Sequence, residues 1–578
     1  MDTFKIASRW NLNVLPCGSN VNQFFEHLRE INKNLAGLEE HLQANILYEN
    51  DLKQVSSLIK QIESAESFYY CLTTEDIFAS QLTSINGEIA SLKSKIYSII
   101  ATIQESVDRM STIEFTDWSK PMKEVNFLKE ITLNKKSKKE TAVSNLVKES
   151  LSALEDLYQQ VRHNMKIDLD QGEEQISLVK AMNLALSHSE ASQRTHIFQK
   201  LNESIKSQAN IFSSIYNQMI GLRLHDNKVK AAHFLDDSLS MNGISRQTLD
   251  AMWNAIDIHI EELSSYLKTK SKESMESISW HTLMTSSQKD NYQLSYAEAI
   301  DEIVKSLQNI DDQMYEFVKD IIAKGWVDVE LRQNKSNGGF CAPFISEGES
   351  RISLSYDNSF DSARRLAHEL GHAWHFNQMK DTPTLRFSDD TFEMTMAETS
   401  SIFFETVFVD HMINNTKDLE IKKTMLGSKI ERSLNYLMSI RAAFLFEENF
   451  YRSRENQLLN AEQIEAISLN CQEIAYGGNL SDYEPFIWIK YGQFYQANVP
   501  FYNYPYTFGF LLSIGLLESA KSNPVFKQTF KNFLSETGSL PLEQLFKKHF
   551  HVELANEAFW VQSVKSVTSD IKRYIELT

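Results

Sequence analysis

The segment from His368 to His372 carries the residues of this chain that are best suited to chemistry. It reads HELGH within SARRLAHELGHAWHF. On an α-helix, residues four apart lie about one turn apart on the same face, so His368 and His372 can direct their imidazoles at one ion. Neutral imidazole is a preferred zinc ligand. Glu369 projects beside that position, and the motif therefore predicts a zinc site in which Glu369 is the general base for an activated water.

A third histidine, His375, lies on the same predicted helix face. Its rise of about 10.5 Å from His368 is too long for three side chains of one straight helix to meet at one ion. We therefore expect His375 either to face the substrate or to contact one of the metal-binding side chains and help to orient it. The alternative is a helix whose histidines are incidental. The apolar neighbours Leu366 and Leu370 argue against it, because buried imidazole nitrogens need polar partners.

The third ligand must come from elsewhere, because a catalytic zinc takes three protein ligands and keeps one position open. The segment FEMTMAETSSIFFETVFVDHMI predicts a second, strongly apolar helix in which Glu398 and Glu405 share a face. Carboxylates in such a setting are costly unless they are paired or bound to metal. We expect Glu398 to be the ligand and Glu405 to orient a histidine. Three acidic residues of the connecting segment remain alternatives: Asp389, Asp390 and Glu393.

The segment FYNYPYTFGF, Phe501 to Phe510, presents three alternating tyrosines. Peptide hydrolysis builds negative charge on the carbonyl oxygen, and a positioned phenol can donate a hydrogen bond to it. The alternative is an aromatic loop that only packs on the core. Beside a zinc motif, the catalytic interpretation becomes credible.

The elements that must position these residues are mainly helices. Only Pro16 and Pro121 precede residue 340, and segments such as VNQFFEHLREINKNLAGLEEHL repeat apolar residues at helical spacing. The segment from Trp326 to Ser359 instead contains stretches in which apolar and polar residues alternate, together with a glycine pair. This pattern predicts a small β-ribbon directly before the histidine helix. A chain of 578 residues ordinarily divides into lobes. We place an N-terminal helical lobe at 1–195 and the catalytic domain at 196–578.

Composition and charge exclude several classes of protein. A net charge of −19 argues against nucleic acid as a partner, because phosphates need a concentrated basic surface. The four cysteines are widely scattered, which fits reduced thiols better than a disulfide framework. We find no basic leader with a long apolar run and no apolar stretch of membrane-spanning length. The expectation is a soluble, cytoplasmic protein that does not bind membranes.

The motifs LAHELGHAWH and AETSSIFFE together resemble the thimet-oligopeptidase (M3) family of zinc metallopeptidases, and specifically its oligoendopeptidase F branch. The resemblance implies that His368, His372 and Glu398 bind one zinc ion per chain and that Glu369 is the base. The GGFC and RISLSY segments are similar to the ribbon that pairs with substrate peptide in this family, which is strand addition in physical terms.

The same resemblance extends to the aromatic segment. It implies that Tyr504 stabilises the oxyanion, with Tyr502 and Tyr506 as further substrate-binding candidates. Gln493 stands where the family usually has a histidine. A neutral amide can donate a hydrogen bond but cannot carry a positive charge, so we expect transition-state stabilisation or peptide binding to be weaker or differently tuned.

The resemblance implies an all-α, two-lobed fold with a deep central channel. The expected activity is zinc-dependent endopeptidase cleavage of short unstructured oligopeptides, since the channel would exclude folded proteins. One alternative is a helical zinc carboxypeptidase. Another is a peptide-binding homologue with weak turnover, which Gln493 suggests. The sequence leaves the cleavage-site preference and the oligomeric state open.

Overall fold

The computed structural model describes residues 7–17, 20–44, 49–75, 79–111, 113–114, 138–169, 175–285, 292–332, 335, 338–381 and 393–578. The described chain is mainly helical and carries two small sheets. The predicted helical fold with a small β-ribbon is therefore confirmed. Asp389 and Asp390, two of the alternative metal ligands, lie outside the described residues.

The chain forms two compact units, each built from three separate segments. The first unit comprises Met1–Lys135, Tyr292–Thr416 and Leu516–Glu553. Its described helices are α1 Val21–Ala44, α2 Glu49–Leu72, α3 Ala79–Asp108, α11 Tyr296–Gln308, α12 Asp312–Ala323, α13 Phe360–Met379, α14 Met394–Ala397, α15 Thr399–Asn415, α21 Phe526–Ser535 and α22 Leu542–Phe550.

The second unit comprises Lys136–Asn291, Lys417–Gly515 and Leu554–Thr578. Its described helices are α4 Lys138–Asn164, α5 Leu178–Ser187, α6 Ala191–Lys230, α7 Asp236–Met241, α8 Arg246–Asp257, α9 Ile260–Ser274, α10 Trp280–Met284, α16 Leu419–Leu434, α17 Ile440–Arg454, α18 Ala461–Ala475, α19 Ile487–Lys490, most of α20 Tyr504–Ser522, and α23 Glu557–Glu576. A π-helix, Asn435–Ser439, lies between α16 and α17.

The helix α6 continues through residue 195 without a break. The division into lobes at that residue stays a prediction. Among the described residues, we find no helix that combines the length and the apolar character of a membrane span.

The β-ribbon belongs to the first unit and has three strands. They are β3 Val327–Asp328, β4 Gly339–Phe344 and β5 Glu349–Leu354, in the order β3-β5-β4. The β4 and β5 strands pair antiparallel from Gly339 opposite Leu354 to Phe344 opposite Glu349, while β3 and β5 are parallel. A smaller sheet of the second unit pairs β1 Lys166–Ile167 with β2 Ile176–Ser177.

The ribbon joins the N-terminal helices to the histidine helix within the first unit. Apolar side chains of α1, α2 and α3 form one buried cluster that also includes Ala342 and Phe344 of β4. The same ribbon packs against α13, which carries the HELGH motif. The motif helix is therefore braced by a sheet whose position depends on a separate hydrophobic core.

Candidate active site

The motif helix begins at a well-defined cap. Ser359 is extended and its side chain accepts a hydrogen bond from the backbone N–H of Ser362, which satisfies one of the unpaired donors of the first turn. Asp361 supplies a negative charge in that turn, where it complements the helix dipole. The cap fixes where the helix starts, and so which side chains share its ligand face.

A glycine inside the motif sets the spacing between α13 and α15. A Cβ built at Gly371 would lie 2.5 Å from Ser400 O and 2.6 Å from Ser401 Cα, closer than real Cβ contacts. Only a residue without a side chain permits this approach. Glu398 occupies the N-cap position of α15, two residues before Ser400, so the close packing at Gly371 also brings Glu398 towards the motif histidines.

The two motif histidines and Glu398 converge. His368 Nε2 lies 3.2 Å and His372 Nε2 lies 3.8 Å from Glu398 Oε2. One donor atom from each of the three residues lies within 4.8 Å of the others. Two ligand atoms that each lie about 2.1 Å from a tetrahedral zinc ion are about 3.4 Å apart. The observed separations of 3.2 and 3.8 Å are close to this distance, so the three side chains fit a zinc ion. All three side chains are partly exposed, which leaves a side open to a further ligand.

Each of the two ring nitrogens of His368 lies close to a different carboxylate. Nδ1 lies 3.0 Å from Glu405 Oε2, while Nε2 faces Glu398. Glu405 Oε2 is also 3.0 Å from the Arg364 Nη1 atom, one turn earlier on α13. A carboxylate that accepts from the outer nitrogen of a metal-binding histidine fixes its ring orientation and tautomer. Arg364 in turn holds Glu405, and this second contact was not predicted from the sequence.

The electrostatics of the donor set favour positive charge at its centre. Burial would lower the pKa of His368, but Glu398 and Glu405 outweigh it and raise the pKa to about 10. Burial lowers the pKa of His372 to about 4, so that imidazole is neutral near pH 7 and can donate its lone pair. Ser401 Oγ donates to Glu398 Oε2 at 2.9 Å and orients that carboxylate. The chemistry of the site suits a divalent cation.

Glu369 lies beside the donor set and against the ribbon. It is 8% exposed, and a Cβ at Gly339, the first residue of β4, would lie 3.2 Å from its Oε1 atom. Burial, with the charges of Glu398 and Glu405, raises the pKa of Glu369 to about 7. A carboxyl group with this pKa can both accept and return a proton near neutral pH, as a general base requires.

His375 is not part of the converging group. Its ring is completely buried, and Nε2 lies 2.8 Å from Thr537 Oγ1, in the segment that follows α21. Burial lowers the pKa of His375 to about 3. The burial of the ring and its contact with Thr537 argue against the predicted substrate contact of His375 and favour a structural role. Thr537 could not be predicted as the partner of His375, because it lies 162 residues away in the chain.

The remaining alternative ligand, Glu393, lies at the N-terminus of α14. Among the described residues it is not part of the converging group formed by His368, His372 and Glu398. Glu398 therefore remains the candidate for the third ligand.

The tyrosines and Gln493 belong to the second unit. Tyr504 is 1% exposed; its hydroxyl donates to Ser238 O at 3.2 Å and accepts from Asn242 Nδ2 at 3.2 Å. These bonds hold the phenol inside the unit, which argues against Tyr504 as the oxyanion donor. Tyr502 and Tyr506 are partly exposed, and their hydroxyls are 2.9 Å apart. Both line a pocket that Gln493 also lines. The alternation of the tyrosines in sequence did not predict this difference, because Tyr504 begins a helix.

Comparison with known proteins decides the family. The sequence model of Peptidase family M3 matches residues 184–566. The chain belongs to peptidase family M3. The chain is also similar to the oligoendopeptidase F homolog of Borreliella burgdorferi, which is 26% identical over 264 residues. That match covers 43% of this chain and 43% of the relative's own length.

Solved structures share the fold along nearly the whole chain. A putative peptidase from Chlamydophila abortus superimposes with a TM-score of 0.79 at 17% identity, covering 98% of this chain and 99% of that one. The oligoendopeptidase F from Enterococcus faecium gives a TM-score of 0.67 at 16% identity, covering 96% and 99%. The fold shared with these structures therefore includes the N-terminal helices, which precede the segment matched by the family model.

Proposed function

We propose that this M3 family member is a zinc-dependent endopeptidase that hydrolyses short unstructured oligopeptides. The observation that carries the proposal is the convergence of His368, His372 and Glu398 beside the buried carboxyl group of Glu369. Family membership supports the same reaction class. One zinc ion would be held by these three side chains.

In this proposal each residue has a distinct task. A bound zinc ion supplies Lewis-acid polarisation of the scissile carbonyl and a lowered pKa for the attacking water. Glu369 accepts the proton of that water and returns it to the leaving amine, for which its raised pKa is suited. Glu405 holds the His368 ring through Nδ1, and Ser401 holds the Glu398 carboxylate.

The role of Glu369 is tested by Glu369→Gln, which keeps the shape of the side chain and removes its basicity. We expect kcat for a blocked oligopeptide to fall by about 10²–10⁴-fold, as for loss of a general base. Zinc content, measured by elemental analysis, should remain one per chain. Glu316→Gln on the exposed face of α12 is the matched control and should keep full activity. Full peptidase activity in zinc-loaded Glu369→Gln protein would overturn the proposed mechanism.

The mode of cleavage separates this proposal from its alternatives. An endopeptidase cuts a peptide that is acetylated at its N-terminus and amidated at its C-terminus, whereas a carboxypeptidase requires the free carboxylate. Mass spectrometry of the products therefore distinguishes the two. A peptide-binding homologue would hold the blocked peptide but release it uncut with zinc present.

A further inference from the structure

Arg364 connects the first turn of the motif helix α13 to a buried carboxylate of α15. Its Nη1 atom lies 3.0 Å from Glu405 Oε2. Its Nε and Nη2 atoms donate to Asp361 Oδ1 at 3.0 and 2.8 Å. A guanidinium can serve two carboxylates in this way, because its donors lie in one plane and point in fixed, different directions. Arg364 thus holds a carboxylate of its own helix and one of the neighbouring helix at the same time.

Arg364 and His368 contact the same atom of Glu405. Residues four apart lie on one face of a helix, so both side chains leave α13 on the side that faces α15. His368 Nδ1 and Arg364 Nη1 each lie 3.0 Å from Glu405 Oε2. A movement of this oxygen that lengthens one contact also alters the other. The contact between Glu405 and the histidine ring therefore depends on where Arg364 holds the carboxylate.

This three-residue contact has little exposure to water. The Arg364 side chain is 14% exposed, and Glu405 is buried. Solvent and salt screen such a pair less than a pair on the surface. When one partner of a nearly buried pair is removed, the other charge stays behind without that counter-charge, which is costly. Without Arg364, we expect the Glu405 carboxylate to turn towards water and away from His368.

The orientation of the His368 ring matters because its other nitrogen faces the candidate metal position. Nε2 lies 3.2 Å from Glu398 Oε2, within the converging group. Partners that hold the outer nitrogen of a metal-binding histidine typically change metal affinity by about 10–100-fold. A residue that holds such a partner should act in the same direction and with a smaller effect.

We propose that Arg364 is a positioning residue of the candidate metal site, which acts on His368 through Glu405 and so helps the site to retain its ion. The inference rests on the proposed function for the identity of the ion as zinc. It adds to that function a residue outside the HELGH motif, and it assigns that residue one route of action.

The first test compares the zinc affinities of full-length variants by competition with a fluorescent chelator. Arg364→Met removes the guanidinium and keeps an unbranched apolar side chain. We expect its zinc affinity to be about three- to tenfold lower than that of the wild type, a smaller loss than for a direct outer partner. Arg573→Met is the matched control, because Arg573 also pairs with an aspartate three residues earlier, Asp570 of α23. Equal affinities of Arg364→Met and the control would overturn the proposal.

A double-mutant cycle shows whether Arg364 acts through Glu405. Substitutions of residues that work through one contact have non-additive effects. In Glu405→Gln protein, the further change Arg364→Met should alter zinc affinity by less than about twofold, since the carboxylate that Arg364 positions is already gone. A decrease as large as the one in the wild-type background would show that Arg364 acts independently of Glu405, and the proposed route would be wrong.

Arg364→Lys separates position from charge. An ammonium group carries the same charge, but it lacks the planar fork that holds Asp361 and Glu405 together. We therefore expect the zinc affinity of Arg364→Lys to be closer to that of Arg364→Met than to that of the wild type. Complete restoration by lysine would show that charge alone is sufficient and would contradict a positioning role. Should Arg364→Met fail to fold, Arg364→Lys and its cycle with Glu405→Gln decide.

A spectroscopic measurement reports on the ligands directly. The visible absorption of the cobalt-loaded protein depends on the geometry of the side chains that bind the ion. It should change in Arg364→Met, where the His368 ring is held less firmly, and stay as in the wild type in Arg573→Met. The same spectrum in all three proteins would contradict the proposal.

The outcomes distinguish this inference from the proposed function. If the wild type cleaves blocked peptides and Arg364→Met keeps full zinc affinity, the role of Arg364 is wrong and the peptidase proposal stands. If zinc affinity depends on Arg364 and Glu405 as expected but the wild type cleaves no peptide, the positioning role stands and the proposed function fails. A wild-type protein that binds no zinc would overturn both.

Discussion

At the scale of single residues, the donor set depends on contacts behind the candidate ligands. His368 has one nitrogen directed at Glu398 and the other at Glu405, so its ring cannot turn without losing a carboxylate partner. Arg364 lies 3.0 Å from Glu405 and limits the movement of that carboxylate in turn. Glu405 is only 6% exposed, so solvent weakly screens its interactions with His368 and Arg364.

The substitution Glu405→Gln tests this arrangement through metal affinity. The amide keeps the volume of the side chain but loses the charge that supports the His368 imidazole. Loss of such outer partners typically costs 10–100-fold in metal affinity, and we expect a decrease in that range. Zinc affinity is measured by competition with a fluorescent chelator. Asp410→Asn, on the same helix α15, is the matched control; equal affinities in the two variants would contradict the role of Glu405.

At the scale of elements, the site requires two helices to approach each other unusually closely. Gly371 lies within the HELGH motif, and its missing side chain gives the room that the backbone at Ser400 and Ser401 occupies. The ribbon also packs against α13 through β4 and β5. The distance between the motif histidines and Glu398 is thus set by backbone packing, in addition to the side chains themselves.

Gly371→Ala should separate α13 from α15. Overpacking a close contact costs about 1–3 kcal/mol, and we expect the free energy of unfolding to fall by that amount, with weaker zinc binding. Gly37→Ala in α1 and Gly87→Ala in α3 are the controls, because a Cβ at either position meets nothing within 4 Å. An alanine there should raise stability by up to about 1 kcal/mol, since helical glycine is costly. Chemical denaturation measures all three; a stabilised Gly371→Ala protein would contradict the argument.

At the scale of the whole molecule, the metal-ligand candidates belong to one compact unit. His368, His372 and Glu398 all fall in the segment Tyr292–Thr416 of the first unit, whereas the pocket lined by Tyr502, Tyr506 and Gln493 belongs to the second. A chain of two units, each with its own internal packing, need not unfold in a single step.

Zinc should therefore stabilise the two units unequally. A ligand at 100 times its Kd adds about 2.7 kcal/mol to the stability of the state that binds it. Hydrogen exchange in α13 and α15 is expected to slow by about 100-fold on zinc addition, while α18 in the second unit changes little. Mass spectrometry of the exchanged protein gives this comparison directly. Equal slowing of all three helices would show that the units open as one.

The sequence by itself determined the local part of this protein. The four-residue spacing of His368 and His372 places both rings on one helix face, because helix geometry depends only on neighbouring residues. The scarcity of early prolines and the helical repeat of apolar residues likewise indicated the helical fold, and the alternating segment before the motif indicated the ribbon.

The tertiary structure decided what depends on distant contacts. It brought Glu398 to the motif through the packing at Gly371, bonded His375 to Thr537, and buried Tyr504 against Ser238 and Asn242 while leaving Tyr502 and Tyr506 at a pocket. Each of these outcomes joins residues that are far apart in the chain or turns alternating residues onto different sides of a helix. Local spacing carries no information about which distant backbone will pack there, so only the folded chain could assign these roles.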